Sequence, residues 1–479
     1  MRFQILISIA ALTGQQFGTP MLTPHEFTAV VSSTVAQDIA VTPKAGWVYI
    51  VGSTTAPDYP TTPDAFDRTC GTDGACNPFQ GRFGIERRAD AVLTLIDSAG
   101  QIRYSTFLGG AGQDDNPRIA VARDGTVWLA GATTSSAFEG YAGSCAGSFW
   151  IARFEYTLKQ LQELRCYPWL LALADVELDP QGRLWVLGTT GTPGAATPSA
   201  YQRQIAGQLD MFLARFAVGE ATPQYATYLG GRSLDTAAAL AIAPSGAVAI
   251  TGRTSSQDFP VVRAVKSALH ESSPVDGDAV VAVLDPAGQL LQFSTYWGGS
   301  RDEAGSGIAL DAIGNVYVTG YARSADMPAT TGVYDSGCGT DGACNGSFDA
   351  FITKFGPTGA LLASTFFGGS QLDLGRAVQL TSGGKVVVLG TTQSRDFPLV
   401  DASPSPRTPG INSEHTYLAV FDDGLTALVR SGLVVDQQFL PNVAVLAVRD
   451  GFGFVAGQVT PSTGMPSGIG TYVRAMRLP

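Results

Sequence analysis

Six cysteines and a set of recurring aspartates are the residues of this 479-residue chain whose types and spacing could do chemistry. The string from Cys70 to Asn77, CGTDGACN, returns unchanged from Cys338 to Asn345. A C-x5-C loop around an Asp-Gly turn can close as a small disulfide. Zinc is the competing use, but it takes four ligands together, and neither pair has a histidine nearby. Cys145 and Cys166 flank the strand-like SFWIARF, and a turn near Thr157 would set them face to face. Three bridges are therefore expected: Cys70–Cys76, Cys145–Cys166 and Cys338–Cys344. Asp73 and Asp341, inside the two identical loops, could also offer oxygen ligands to a calcium ion.

Asp115, Asp235, Asp302 and Asp373 each follow a Gly-Gly pair by a few residues. A rim of such carboxylates would suit calcium or a cationic group. Equally, each could cap its own turn by accepting backbone N–H groups. The spacing alone leaves both readings open. A second string, Asp followed by an apolar residue and Pro, occurs at Asp58, Asp258, Asp326 and Asp396. It reads as an Asx-type turn with the chain fixed by proline. Catalytic signatures are missing. His25, His270 and His415 are dispersed, and no G-x-S-x-G elbow, Walker or Rossmann string occurs. No carboxylate pair with glycosidase spacing can be picked out. No catalytic residue and no cofactor other than calcium is assigned.

The elements that must position these residues repeat. An apolar triplet, a polar turn with glycine, and an alternating strand ending in glycine recur seven times, closing at Gly52, Gly131, Gly188, Gly252, Gly320, Gly390 and Gly457. Each repeat holds two further strands. One reads like DAFITKF from Asp349 and the other like YSTFLGG from Tyr104, with degenerate copies near Leu164 and Val429. Alternation with β-branched and aromatic residues is a strand signature, and turns such as DPAG join the last two strands as hairpins. A lone four-stranded sheet cannot cover both of its faces, whereas seven arranged radially cover one another. The sequence thus predicts an all-β, seven-bladed β-propeller with four antiparallel strands per blade. FTAVVSS from Phe27 precedes the first repeat, and TYVRAMR from Thr471 ends the chain without a partner strand. The N-terminal strand is expected to complete the last blade and so remove an open sheet edge.

The strings YSTFLGG, GIALDAIGNVYVTG and TSSQDFP resemble the bacterial seven-bladed β-propeller repeat family of secreted and surface proteins. The resemblance runs from about Phe27 to Arg477 and is strongest around Gly252, Gly320 and Gly390. It implies the fold and export. It carries over no catalytic residue, because the family has no established shared activity.

With the IAV-type strand innermost, the short turns fall on one face. The large insertions, Ser53–Arg88, Thr133–Gly147, Thr254–Gly277, Tyr321–Ser347 and Thr391–His415, fall on the other. Loops on a rigid scaffold often carry function, so binding is expected on the insertion face near the channel mouth.

Composition bounds the partners. Charged residues make up 15% of the chain and the net charge is −11, which disfavours nucleic acid and anionic membranes. The apolar run FQILISIAALTG after Met1-Arg2 suggests a signal peptide or N-terminal extension over 1–22, followed by one propeller domain over 23–479. No other stretch is long and apolar enough for a transmembrane helix. A secreted or surface monomer that binds a protein or glycan ligand is the leading expectation. A secreted polysaccharide-acting enzyme using acidic residues of the insertion face and a structural envelope protein are the alternatives. Thiol labelling of the unreduced, denatured chain checks the cysteine reading. None of the six cysteines should react before reduction, and six reactive thiols would refute it.

Overall fold

The computed structural model describes residues 26–43, 46–81, 84–138, 145, 147–269, 276–340, 342, 344–400, 414–434, 439–449, 451–459 and 470–479. Seven four-stranded antiparallel sheets follow one another around a ring. The first blade runs outward through Val35–Val41, Val48–Thr54, Asp90–Ile96 and Ile102–Leu108. Five blades repeat this order, with innermost strands Asp114–Val121, Ala172–Leu178, Asp235–Ile242, Glu303–Leu310 and Asp373–Leu380. The seventh blade starts with Phe439–Arg449 and takes its outermost strand, Thr28–Ser32, from the other end of the chain. Val31 lies opposite Thr471 in that closure. Thr471 also ties the seventh blade to the first, accepting the Ala36 N–H at 2.9 Å and donating to the Thr34 carbonyl at 3.0 Å. The expected fold and closure are both present, while the expected extension over 1–22 lies outside the described residues. Among the described residues, no helix is long and apolar enough to cross a membrane.

The middle strands are buried on both faces. Every residue of Asp278–Leu284 and of Asp349–Phe355 is buried. This explains why threonines share these strands with valine and phenylalanine: a small hydroxyl can satisfy itself inside. Thr251 donates to the Val280 carbonyl and Thr319 to the Phe351 carbonyl, each at 2.8 Å. Outermost strands reach the next blade's hairpin turn. The Tyr104 hydroxyl donates to the Leu158 carbonyl at 2.8 Å, and Tyr225 does the same to Gly288.

The glycine that closes each repeat has a steric cause. All seven innermost strands carry a register shift, for example between Gly305 and Gly307 opposite Gly320. Such a bulge displaces the local backbone. A Cβ on Gly320 would stand 1.9 Å from the Ala304 carbonyl oxygen, and one on Gly252 would stand 2.0 Å from that of Thr236. Glycine is therefore the partner that a bulged innermost strand requires. Substituting Gly320→Ala should destabilise the protein by about 1–3 kcal/mol, the usual cost of overpacking a filled interior. Chemical denaturation against Ser306→Ala, at the neighbouring bulge, measures it.

Candidate functional site: the central channel

Six of these bulges face a common space. The innermost strands enclose a cavity of about 940 Å³ that runs from the level of the bulges to the short-turn face, near Asp124, Gly182, Pro244 and Arg449. Its wall is uneven. Blades one to three contribute Asp38, Arg118, Asp175 and Glu177, whereas blades four to six contribute Ala238, Ser306, Gly307 and Ala377 together with Arg376.

Asp38, Asp175 and Arg118 are engaged in joining blades. Asp38 accepts the Ile39 N–H at 2.8 Å and, across the junction, the Ile119 N–H at 2.9 Å. Asp175 repeats this with Val176 at 2.8 Å and Leu240 at 2.9 Å, joining blade three to blade four. Arg118 donates to the Ala174 carbonyl at 2.7 Å and to the Gln37 carbonyl at 3.0 Å, and so clasps three blades. Glu177 makes no hydrogen bond or ion pair among the described residues. Water in the cavity reaches it, yet protein surrounds it. Burial, followed by the charges of Asp175 and Asp38, pushes its carboxyl up to about 8. Burial and then Asp38 push Asp175 up to about 7. Burial raises Asp38 as well, opposed mainly by the Arg118 guanidinium.

A second set of acids holds the insertion face. At the start of four innermost strands stands a buried acid, Asp114, Asp235, Glu303 or Asp373. Each accepts the N–H of the second glycine in the preceding Gly-Gly pair: Gly110 at 2.9 Å, Gly231 at 2.7 Å, Gly299 at 2.9 Å and Gly369 at 2.7 Å. Serine hydroxyls add to three of them, as Ser256 does to Asp235 at 2.8 Å. Burial raises Asp373 to about 6 and Glu303 to about 7. Two of the four aspartates singled out by sequence, Asp235 and Asp373, occupy this position. The other two lie beside it. Asp115 accepts from the Gln113 amide at 3.0 Å, and Asp302 pairs with Arg253 at 2.6 Å. The equivalent acids are their neighbours Asp114 and Glu303. In all four blades the anchoring acid stands four residues after the second glycine; Asp115 and Asp302 are the residues beside that position, which in blade five is filled by a glutamate. These four groups belong to separate blades, and the structure does not bring them together.

The Asp-apolar-Pro strings also act at longer range than an Asx turn. Asp258, Asp326 and Asp396 accept backbone N–H groups of Arg232, Ser300 and Ser370 at 2.8, 2.9 and 2.9 Å, and the following Phe259, Met327 and Phe397 are buried. From there the described parts of the insertions turn outward. They run along the perimeter against outermost strands. The Thr62 N–H donates to the Ser105 carbonyl at 3.0 Å, that of Thr197 to Ala226 at 2.9 Å and that of Thr330 to Ser364 at 3.1 Å, while Val262 and Val400 bridge Ser294 and Ser431. An outermost strand has a row of free backbone groups, and the insertions satisfy part of that row.

All three expected bridges are present. Cys70–Cys76, Cys145–Cys166 and Cys338–Cys344 have Cα–Cα distances of 4.6, 5.1 and 4.5 Å. The short loops differ from the expected simple Asp-Gly turn in how they close. Cys76 and Cys344 themselves take left-handed backbone, with φ of 62° and 58°, as do Gly71, Gly74, Gly339 and Gly342. The Cys76 N–H donates back to the Cys70 carbonyl and the Cys344 N–H to the Cys338 carbonyl, each at 2.9 Å. Reversing the chain between two bridged cysteines so close in sequence takes more curl than one turn supplies, and the second cysteine of each pair provides the rest. All four of these cysteines are buried.

The two identical loops dock alike. Gly71 donates to Asp90 at 2.7 Å and Gly339 to Asp349 at 2.6 Å, each a buried acid at the head of a third strand. Blade four fills the same place with Lys266, which reaches Asp278 at 2.7 Å. Asp73 is exposed and accepts the N–H groups of Ala75 and Asn77 at 2.8 and 3.0 Å, which hold its carboxyl below the usual range. Asp341 lies outside the described residues, as do His25 and His270. Among the described residues, no group of three or more His, Cys, Asp or Glu is arranged to hold a metal ion.

Fold and cavity together define a seven-bladed β-propeller with a polar central channel. No protein-family model matches the chain, and no curated protein sequence matches it. Among solved structures it is similar to a protein of unknown function from Dyadobacter fermentans DSM 18053, at 11% identity over 76% of this chain and 95% of that one, with a TM-score of 0.42. It is similar to Kuenenia stuttgartiensis hydrazine synthase at 10% identity, over 93% and 96% of the two chains, with a TM-score of 0.42. It is also similar to the polysaccharide lyase Uly1 at 10% identity, over 93% and 90%, with a TM-score of 0.47. Likeness at this level assigns no activity.

Sequence reasoning missed Asp38, Asp175 and Glu177. A signal existed, since acids replace the apolar or small residues that other copies carry in the innermost strand. The channel acids make stability pH-dependent. Asp175 and Glu177 hold protons in the folded chain at pH values where the unfolded chain, with ordinary values of 3.8 and 4.5, has lost them. Their contribution is complete below the ordinary values and is lost as pH rises to about 8. Thermal unfolding should show a midpoint that falls across this window, and a shallower fall in Glu177→Gln.

Proposed function

We propose that this chain is an extracytoplasmic binding scaffold whose ligand, a protein segment or glycan, enters the central channel from the short-turn face. One observation carries the reading: a cavity of about 940 Å³ whose wall includes an acid, Glu177, with no bonding role in the fold among the described residues. Cavities of this size suit small or extended ligands, and a perturbed carboxyl in a cleft is a recurrent feature of functional sites. Three disulfides favour an oxidising compartment, in keeping with export. The acidic net charge fits neither nucleic acid nor an anionic membrane.

A second reading has a specific observation behind it. A carboxyl held protonated near neutral pH can serve as a general acid, so Glu177 would suit an enzyme acting on a polysaccharide. A glycan array read with and without calcium identifies ligands, and product analysis of each hit separates a binder from a hydrolase or lyase. Blocking the channel with Ser306→Trp should abolish binding of every hit while thermal unfolding stays cooperative. Hits that survive the block would move the site off the channel.

A further inference from the structure

Resting on the channel reading, we propose that the ligand is an amino-sugar glycan, and that Glu177 is the residue that receives its ammonium group. Three features of the wall converge on this class. The first is the distribution of charge. On blades one to three, Asp38, Asp175 and Glu177 gather around the Arg118 guanidinium, while Arg123, Asp124 and Asp179 lie farther along, at the short-turn face. Asp38, Asp175 and Arg118 spend their bonds on neighbouring strands, so they set the field of this half of the channel without being free to grip a ligand. Glu177 sits in that field two residues beyond Asp175 with its carboxyl unengaged. Mutual repulsion among the three acids, which favours a proton on Glu177, equally favours a cation beside it. When an ammonium docks, Glu177 releases its proton to water and pairs with the newcomer as a carboxylate, a charge-assisted contact of the stronger kind.

Shape is the second feature. Apart from Arg376, the facing wall carries the short side chains of Ala238, Ser306, Gly307 and Ala377, and the cavity leaves room far beyond the needs of a single alkylammonium. Each bulge there interrupts the β ladder, with register shifts at 237/239, 305/307 and 375/377. Interrupted ladders leave backbone groups for the hydroxyls of a ligand. Finally, among the described residues no aromatic side chain lines the cavity. A neutral sugar would lack a ring to stack upon, so recognition must come from charge and hydrogen bonds.

Titration calorimetry on the intact chain tests this with two probes, a glucosamine tetramer and its N-acetylated counterpart, which differ only in the ammonium. The wild type should bind the glucosamine tetramer at least about tenfold more tightly, and Glu177→Gln should lose that preference. Glu177→Asp, which keeps the charge on a shorter arm, should keep part of it. Equal binding of the glucosamine tetramer by wild type and Glu177→Gln would overturn the assignment. So would equal binding of a lysine-containing tripeptide, which would point to ammonium groups in general rather than to sugars. Preference for neutral glycans, abolished by Ser306→Trp, would defeat the amino-sugar inference and leave the channel reading standing. Binding unaffected by Ser306→Trp would defeat the channel reading itself.

Discussion

Every blade in this protein is apolar on both faces, and that single constraint governs the rest. A blade such as Glu303–Phe367 buries all seven residues of its third strand only because another blade lies against each side. No blade can be an end. The ring must close, and the chain closes it by placing Thr28–Ser32 beside Gly470–Arg477. Closure joins the two ends of the ring through main-chain hydrogen bonds and through Thr471, and it leaves the seventh blade without an uncovered face. Outermost strands meet the same requirement differently, with the insertions paired along them.

Closing seven twisted sheets around an axis crowds their inner edges, and the innermost strands respond with bulges. The bulge accounts for two features that look unrelated in sequence. It drives a carbonyl toward the next strand, which requires glycine at Gly52, Gly252, Gly320 and Gly390. It also interrupts the ladder at the channel, where Asp38, Asp175 and Arg118 span the gap between blades. Architecture and candidate site are thus two results of one distortion. The charges that seal the junctions also create the electrostatic setting of Glu177.

Buried acids are used throughout as anchors for loops. Asp90, Asp349 and Asp278 occupy equivalent places, and their partners are a glycine N–H of a disulfide loop in two cases and the Lys266 ammonium in the third. A buried carboxylate is costly unless it is hydrogen-bonded or paired. Each insertion must therefore deliver some donor to that point, and the identity of the donor is free to vary. In the CGTDGAC loops the Cys70–Cys76 and Cys338–Cys344 bridges hold the donating glycine in place through a short covalent ring.

Repeat number, strand type, ring closure and the three disulfides were legible in the sequence because each depends on local pattern. Period-two alternation, glycine at fixed offsets and cysteine spacing are written along the chain. Spacing paired Cys70 with Cys76 and Cys338 with Cys344, but the left-handed backbone of Cys76 and Cys344 appears only in three dimensions. The channel was not legible. Asp38, Arg118, Asp175 and Glu177 are spread over 140 positions of sequence, and only the ring brings them around one axis. Sequence placed the insertions on one face of the ring, but it did not show the direction in which they travel across it. The anchoring acids Asp114 and Glu303, by contrast, stand at a fixed four residues from the second glycine, as Asp235 and Asp373 do. Local pattern decided what the elements are. Burial, register and the closure of the ring decided which charges face water, which face each other, and which one, Glu177, is left without a bonding partner among the described residues.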